Sequence, residues 1–465
     1  SSTDCLVSIA LLNKATQMLK SGLVRDAEFS SLMEKVQAAP QILVGFSGGL
    51  DSTVLLHWLH TFIAKDRLTA IHVNHGLSAH AKEWETHAIQ FCAALGVTCH
   101  CESVRILSNG GGIEDGARRA RYAVFEQRLV VGGVLLLGHH QDDQSETMLY
   151  RLMRSAGPKG LSGMPVTRAL GCGHLYRPLL SVSKLELTQY AVQESLTFVE
   201  DNSNSSDMYD RNFLRHRIIP ILAQRWPDYR QRLTGAAAIN LDAQELCRSL
   251  ALEDLQSLQV RKERGGLSLS LACFNELTAV RQRNVLRYWK LSNEHSGPNA
   301  KIIAEVLLSV INAKIDANPK VVYQDTEYRR FSNRLYMLDA HRFSHAQTQA
   351  MDDFDWCHED VVDVGGHMQL AAASSLGSGL RVPPTRMFTV RLRKGGETCH
   401  PVGRTHSNSL KKCLQEFGVE PWWRDKIPLI FVGQELVAVA DLWVCEGWQA
   451  KIDELGVKIH WQDNS

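Results

Sequence analysis

The 465-residue sequence predicts an α/β protein: an N-terminal doubly wound parallel sheet, then a helical middle domain, then a small α+β C-terminal domain. Three observations carry this. From Ile42 to about Asp201, short apolar runs alternate with stretches of helical periodicity, the pattern of a parallel sheet with helices on both faces. The first apolar run feeds Gly45-Phe46-Ser47-Gly48-Gly49-Leu50-Asp51-Ser52, a tight glycine turn that opens into a helix. Residues 229–345 then read as helix-rich, ending in short strands around Arg329-Arg330-Phe331 and Arg334-Leu335-Tyr336, whereas the tail joins one helix to a hairpin.

In chain order, residues 1–40 read as one or two amphipathic helices, with Leu6, Ile9, Leu12 and Leu19 at helical spacing and Pro40 as a stop. Strand one is Ile42–Phe46, and Thr53–Leu59 leaves the turn as a helix. Backbone N–H groups at such a turn, with the helix N-terminus behind them, favour an anion such as phosphate. Ser47 and Ser52 add hydroxyl donors. No Lys follows the glycines, so this is not the common nucleoside-triphosphate loop, nor is the spacing that of a dinucleotide fingerprint. Asp51 would repel a bound phosphate unless a cation lay between them, which predicts a pyrophosphate carried with Mg²⁺.

Strand two is Leu68–Val73, followed by Asn74-His75-Gly76-Leu77; strand three is Val97–Glu102. A glycine turn at 110–112 precedes a helix from Glu114 to about Leu129, and Val134–Leu137 is a buried strand four. It runs into Gly138-His139-His140-Gln141-Asp142-Asp143-Gln144-Ser145-Glu146. Ligands of such sheets sit beyond the C-terminal strand ends where the strand order reverses. If strands one and four are neighbours, Asp142, Asp143 and Glu146 face the serine-glycine loop across one crevice. The same acids fit a capping box with Asp143 as the cap. His139 and His140 read as metal ligands or a base, although zinc is not expected without Cys or further His at ligand spacing.

The glycine-rich, basic stretch Arg151–Pro165 reads as a mobile loop, either a solvated connection or a flap over the nucleotide, with its position after the acidic helix tilting the reading to the flap. After the turn cluster Asp201-Asn202-Ser203-Asn204, a helix through Tyr209–Pro220 would stack Arg211 over Arg215 and Asn212 over His216, with Phe213, Leu214 and Ile218 inward. Guanidinium forks there suit phosphate. Residues 346–384 read as a linker with weak strands. In the tail, Asn408 to Phe417 reads as a helix capped by Ser407, and Ile430-Phe431-Val432 with Glu435–Ala440 as a hairpin turning at Gly433-Gln434. Arg391, Arg393, Lys394, Arg404, Lys411 and Lys412 are candidate phosphate contacts, or an ordinary α+β surface.

Composition sets limits. A formal net charge of +1 excludes a globally basic nucleic-acid binder, so any such role rests on local patches. Eleven cysteines without a Cys-x-x-Cys pair point to a reducing, cytoplasmic setting rather than a disulfide framework. No stretch is long and apolar enough to span a bilayer.

The loop Ser47–Ser52 resembles the PP-loop of the ATP pyrophosphatase superfamily. Further blocks, in order, resemble the tRNA(Ile)-lysidine synthase family: His72–Leu77, Gly112–Tyr122, Gly138–Met148, Arg154–Pro165, Tyr176-Arg177-Pro178-Leu179-Leu180 and Asp201–Pro220. The resemblance implies an N-terminal extension (1–40), a PP-loop catalytic domain (41–228), a tRNA-binding middle domain (229–345), the linker (346–384) and a C-terminal tRNA-binding domain (385–465). It implies ATP, Mg²⁺, L-lysine and a tRNA(Ile) with a CAU anticodon as cofactors and partners of a monomer or homodimer without a membrane role. Adenylation of the wobble cytidine and displacement of AMP by lysine would form lysidine, switching decoding from AUG to AUA. Implied roles are ATP binding for Ser47, Gly48, Gly49, Leu50, Asp51 and Ser52, metal binding for Asp51, catalysis for Asp51, His139 and Arg211, and lysine binding for Asp142, Asp143 and Glu146. Contacts to tRNA would come from Arg118, Arg121, Arg154, Lys159, Asn212, Arg215, His216, Arg391, Arg393 and Lys394. The alternatives are a tRNA-thiolating relative, for which Cys172 is the awkward sulfur carrier, and a non-enzymatic tRNA-binding module.

Overall fold

The computed structural model describes residues 26–76, 80–105, 112–200, 209–289, 297–314, 317–343, 352–365 and 368–463. The predicted helices built on Leu6, Ile9, Leu12 and Leu19, and the turn at Asp201–Asn204, lie outside the described residues. The chain divides into two compact units, residues 1–245 and 246–465.

The first unit is a six-stranded sheet in the order β3-β2-β1-β4-β6-β5. Its strands are β1 (Ile42–Gly45), β2 (Leu68–Asn74), β3 (Thr98–Ser103), β4 (Val134–Leu136), β5 (Thr167–Leu170) and β6 (Gly173–Tyr176). All pair in parallel except β5, which returns antiparallel on β6. Alternation along β1 explains both faces. Ile42 and Val44 pack with Val36 of helix α1 (Asp26–Ala38), Leu55, Leu56 and Leu59 of α2 (Leu50–His60), and Ala88 and Cys92 of α3 (Ala81–Leu95). Leu43, between them, points the other way, onto Phe125 and Leu129 of α4 (Gly112–Arg128), with Leu135 of β4. Each such side chain, fully removed from water, contributes about 1.5–3 kcal/mol. Strands β1 and β4 are neighbours in register, Ile42 opposite Val134 and Val44 opposite Leu136. The order reverses there, so the crevice lies at their C-terminal ends.

Helix α5 (Gln141–Met153) follows β4, and a short α6 (Pro158–Leu161) follows it. The stretch read as a mobile flap is tied down. Arg151 Nη1 donates to the carbonyls of Gly160 (2.9 Å) and Gly163 (2.7 Å), and the Gln144 amide both donates to and accepts from the Met164 backbone. Helix α7 (Lys184–Gln193) and the segment α8 (Asp210–Phe213), Leu214–Ile218 and α9 (Ile219–Arg225) complete the crevice wall. The middle of that segment is a π turn, in which the N–H of Ile219 bonds to Leu214 O. One residue more per turn breaks the expected four-residue stacking. Leu214 is buried as expected, but Phe213 is 46% exposed. The long helix α10 spans Tyr229–Ser257.

In the second unit, the stretch read as helix-rich also carries a five-stranded antiparallel sheet, Arg261–Glu263, Gly266–Ser270, Arg334–Asp339, Thr326–Phe331 and Lys320–Tyr323 in spatial order. Phe274, Val285, Leu286, Trp289, Ile303, Val306 and Val310 from its helical segments pack on Tyr328 and Leu335 of that sheet. The presumed linker is not one. Met368–Leu376 pairs along its whole length with Leu455–Asp463, and Phe354–Cys357 pairs with Met387–Arg391. Its small residues (Ala371–Ser375) weaken the strand signal. The predicted hairpin forms from Leu429–Val432 and Glu435–Val439, and the tail helix, Leu410–Glu416, is capped by Ser409 rather than Ser407.

Candidate active site

The loop after β1 is held open by its own hydroxyls. Ser47 Oγ and Ser52 Oγ lie 3.0 Å apart, Ser52 Oγ also accepts from Ser47 N (3.2 Å), and Gly49 N donates to Ser47 Oγ (3.3 Å). Gly48 takes φ +84°, a conformation that side chains rarely adopt. Gly49 then precedes the first turn of α2, whose leading N–H groups have no helical partner. A Cβ on Gly138 would lie 2.8 Å from Asp51 O, so β4 exits in backbone contact with this turn. Leu50 contributes its backbone; Asp51 sits in the first turn with Oδ1 buried and without a hydrogen-bond partner.

Opposite it, α5 starts three residues earlier than the capping pattern suggested. His140 is the cap: its Nδ1 accepts the Asp142 N–H (3.2 Å), while Asp143 Oδ2 accepts the His140 N–H (3.0 Å). The imidazole proton therefore sits on Nε2, 3.5 Å from both Asp51 Oδ1 and Asp143 Oδ2. Burial opposes charging of His140, but Asp51, Asp143 and Asp142 outweigh it and hold its pKa above the ordinary value. Burial pushes the Asp143 carboxyl up, with Asp51 and Glu146 adding to the rise. Asp51, Asp143 and Glu146 thus form an acidic pole whose counter-charges are His140 and Arg215.

Two of the predicted acids are already engaged. Asp142 Oδ1 accepts from Arg230 Nε (2.6 Å) and the Tyr229 hydroxyl (3.3 Å), and Oδ2 from Lys184 N (2.8 Å). Both oxygens are spent, so Asp142 anchors the first turn of α10 to the start of α5 instead of waiting for a ligand. Glu146, 4% exposed, is gripped by Arg215 through both oxygens, at 2.6 and 2.8 Å. Arg215 therefore serves the acidic wall first.

His139 points the other way, as alternation along the strand exit requires. Its Nδ1 accepts from Arg177 Nε (3.3 Å). Burial, then Arg177, Arg121 and Arg118, hold its pKa well below the ordinary value. A ring so depressed, with one nitrogen occupied and its proton on Nε2, is a poor general base. Arg211 lies over the Tyr150 ring at 5.5 Å, and Arg154 over the same ring at 5.3 Å. Lys159 and His216 are exposed, and Asn212 is half-buried. In the second unit, Arg391 and Lys394 meet Asp353, and Arg393 meets Asp425 and Glu397, so this predicted phosphate face is charge-compensated. Cys172 Sγ donates to Leu129 O (2.9 Å), far in role from a sulfur carrier.

Sequence reasoning missed Tyr229 and Arg230, whose partner is distant in the chain, and gave Arg177 no role although its Tyr-Arg-Pro block had been noticed. Among the described residues no set of three His, Cys, Asp or Glu forms a metal site of its own. The orphaned Asp51 Oδ1, facing Asp143, does suit a hard cation that brings phosphate oxygens and water as its other ligands. No helix among the described residues is long and apolar enough to cross a membrane.

Comparison with known proteins agrees in kind along the chain. Residues 23–222 match the family model of a PP-loop domain, residues 269–336 that of the TilS substrate binding domain, and residues 388–461 that of the TilS substrate C-terminal domain. The chain is similar to the tRNA(Ile)-lysidine synthase of Coxiella burnetii, 38% identical with 90% of this chain and 92% of that one covered. It is likewise similar to that of Pseudomonas fluorescens, at 39% identity with 90% and 92% covered, and that of Legionella pneumophila (strain Paris), at 35% with 86% and 90%.

Proposed function

The chain belongs to the tRNA(Ile)-lysidine synthase family, and from that premise we propose how its crevice works. It is an ATP-dependent ligase that forms lysidine on tRNA(Ile), joining L-lysine to carbon 2 of the wobble cytidine. The observation that carries the site assignment is Asp51 Oδ1, sealed from solvent at the head of the loop helix without a hydrogen bond, with the His140 imidazole 3.5 Å away.

The loop donors of Ser47, Gly48, Gly49, Leu50 and Ser52 cradle the pyrophosphate of ATP, with the helix N-terminus behind them. Asp51 is the residue that would hold Mg²⁺, which would supply charge neutralisation at the phosphates when bound. The cytidine's carbon-2 oxygen attacks the α-phosphate, and pyrophosphate leaves. Arg211 steadies the phosphate that becomes AMP. The lysine side chain enters as an ammonium and is drawn to the Asp143 carboxylate, Glu146 being held by Arg215. It must lose a proton to attack, and Asp143, with its carboxyl pushed up by burial, is the suited acceptor. The freed amine attacks carbon 2, and AMP departs. Asp142 holds the wall in place rather than touching lysine. The basic side chains of residues 229–345 and 385–465 supply further tRNA contacts.

The test is incubation with ATP, a tRNA(Ile) transcript bearing CAU, and labelled lysine. Label is expected in the tRNA, with one AMP and one pyrophosphate released per lysine. Asp51→Ala is expected to abolish pyrophosphate release; normal release would remove Asp51 from the site.

A further inference from the structure

The acidic pole has a counterpart across the two histidines. Tyr122 of α4 is buried, and guanidinium groups surround it. Arg118 and Arg168 lie over its ring at 5.0 and 4.9 Å, and Arg118 Nη2 reaches its hydroxyl at 3.5 Å. Arg177 is 3% exposed, pinned by Nη1 to Pro165 O (2.7 Å) and by Nε to His139 (3.3 Å). Arg121 completes the group, its Nε sealed from solvent without a hydrogen-bond partner. Among the described residues, no ion pair engages Arg118, Arg121, Arg168 or Arg177.

Packing cations together without an anion is unfavourable, and the titration of the group registers it. Burial first, then neighbouring guanidiniums, lower the affinity of Arg121 and Arg177 for their protons. Although burial opposes it, Arg118, Arg177, Arg121 and Arg168 together pull the Tyr122 phenol below its ordinary value. Elsewhere in this unit the arginines that approach carboxylates do so closely, Arg215 to Glu146 and Arg230 to Asp142. The four around Tyr122 are therefore a fixed charge excess, and planar guanidinium forks are matched to phosphate oxygens.

Two phosphate sources meet in this crevice, ATP and the RNA backbone. ATP's phosphates are accounted for by the loop at Ser47–Ser52, on the side to which His140 turns. The arginine group lies on the side to which His139 turns. A base that reacts inside a protein crevice must leave its stack, which carries its backbone inward with it. We propose that Arg118, Arg121, Arg168 and Arg177 form the seat of one backbone phosphodiester adjoining the target nucleotide, separate from the ATP phosphate loop. The proposal rests on the RNA-modifying reading above.

The test uses the full chain and two measurements on each variant: tRNA(Ile) affinity by filter binding across a salt series, and ATP affinity by equilibrium dialysis. Arg121→Met is expected to weaken tRNA binding roughly tenfold at fixed salt. It should flatten the log affinity–log salt slope by about one and leave ATP affinity unchanged. Arg121→Lys, which keeps the charge and loses the fork, should restore the slope but not the full affinity. Arg168→Met, at an exposed position, gives the same pattern more weakly should Arg121→Met fold poorly. An unchanged slope in these variants, or a fall in ATP affinity with tRNA affinity intact, overturns the proposal. Failure of the wild-type chain to bind tRNA at all would instead overturn the reading beneath it.

Discussion

The Glu146–Arg215 pair predicts an asymmetry between its two halves. The carboxylate is almost fully buried, at 4% exposure, whereas about a third of the Arg215 side chain, 35%, meets solvent. Removing the guanidinium by Arg215→Met leaves a buried charge with nothing opposite it. Breaking a fully buried pair in this sense costs roughly 3–5 kcal/mol. Because the arginine is partly solvated, water screens some of the attraction, and the expected cost falls to about 2–3 kcal/mol. Glu146→Gln keeps the volume and one acceptor, and Arg215 can turn its free donors to water, so its cost is about 1 kcal/mol. For a unit of this size these figures correspond to a fall in thermal midpoint of roughly 5–10 °C for Arg215→Met and 2–4 °C for Glu146→Gln. Differential scanning calorimetry of the ligand-free protein at neutral pH reads both. Equal shifts, or a larger one for Glu146→Gln, would refute the reasoning, since the damage must follow the group left buried.

Asp142→Asn should lower kcat by about tenfold or more while leaving the KM for lysine unchanged, because Asp142 braces α5 against Tyr229 and Arg230; a raised lysine KM at constant kcat would return Asp142 to the substrate pocket. Asp143 sets a pH limb. Its folded pKa lies above the unfolded value, so its contribution to stability is fully present below the unfolded pKa and is lost as pH rises through the folded one. The rate of lysine transfer runs the opposite way, rising as Asp143 ionises, with a limb above the ordinary carboxylate range that Asp143→Asn should remove from the pH–rate profile. Arg121→Met should raise the thermal midpoint of the ligand-free protein by a measurable amount, because it relieves repulsion from Arg118 and Arg211; a lowered midpoint would show that Arg121 is structural.

Much of the catalytic fold was legible because parallel sheets advertise themselves. Ile42–Val44 and Val134–Leu136 are unbroken apolar runs, and the turn between strand and helix is spelled in glycine and serine. The acidic residues were found, but not their duties. Asp142, Asp143 and Glu146 are indistinguishable in sequence, and only their partners separate them: a distant helix for Asp142, a histidine for Asp143 and an arginine for Glu146. Adjacent His139 and His140 were read as a pair, yet strand geometry sends them to opposite sides, one neutral among arginines and one between carboxylates. In the middle sheet the strands around Arg329–Phe331 and Arg334–Tyr336 were legible, whereas Arg261–Glu263, Gly266–Ser270 and Lys320–Tyr323 were not, being short and mixing polar or charged residues with apolar ones.

The π turn at Leu214–Ile218 gives this chain an angular offset that no substitution can supply. Each residue of a helix advances the face by about 100°, so one surplus residue turns everything before it against everything after it by that amount. Deleting a single residue there would let the segment relax into a continuous α-helix. The same rotation would carry Arg215 out of phase with Glu146 while leaving Leu214 and every charge in the sequence intact. A one-residue length change in this segment is therefore a more severe mutation than most point changes in it that spare Arg215 and Leu214.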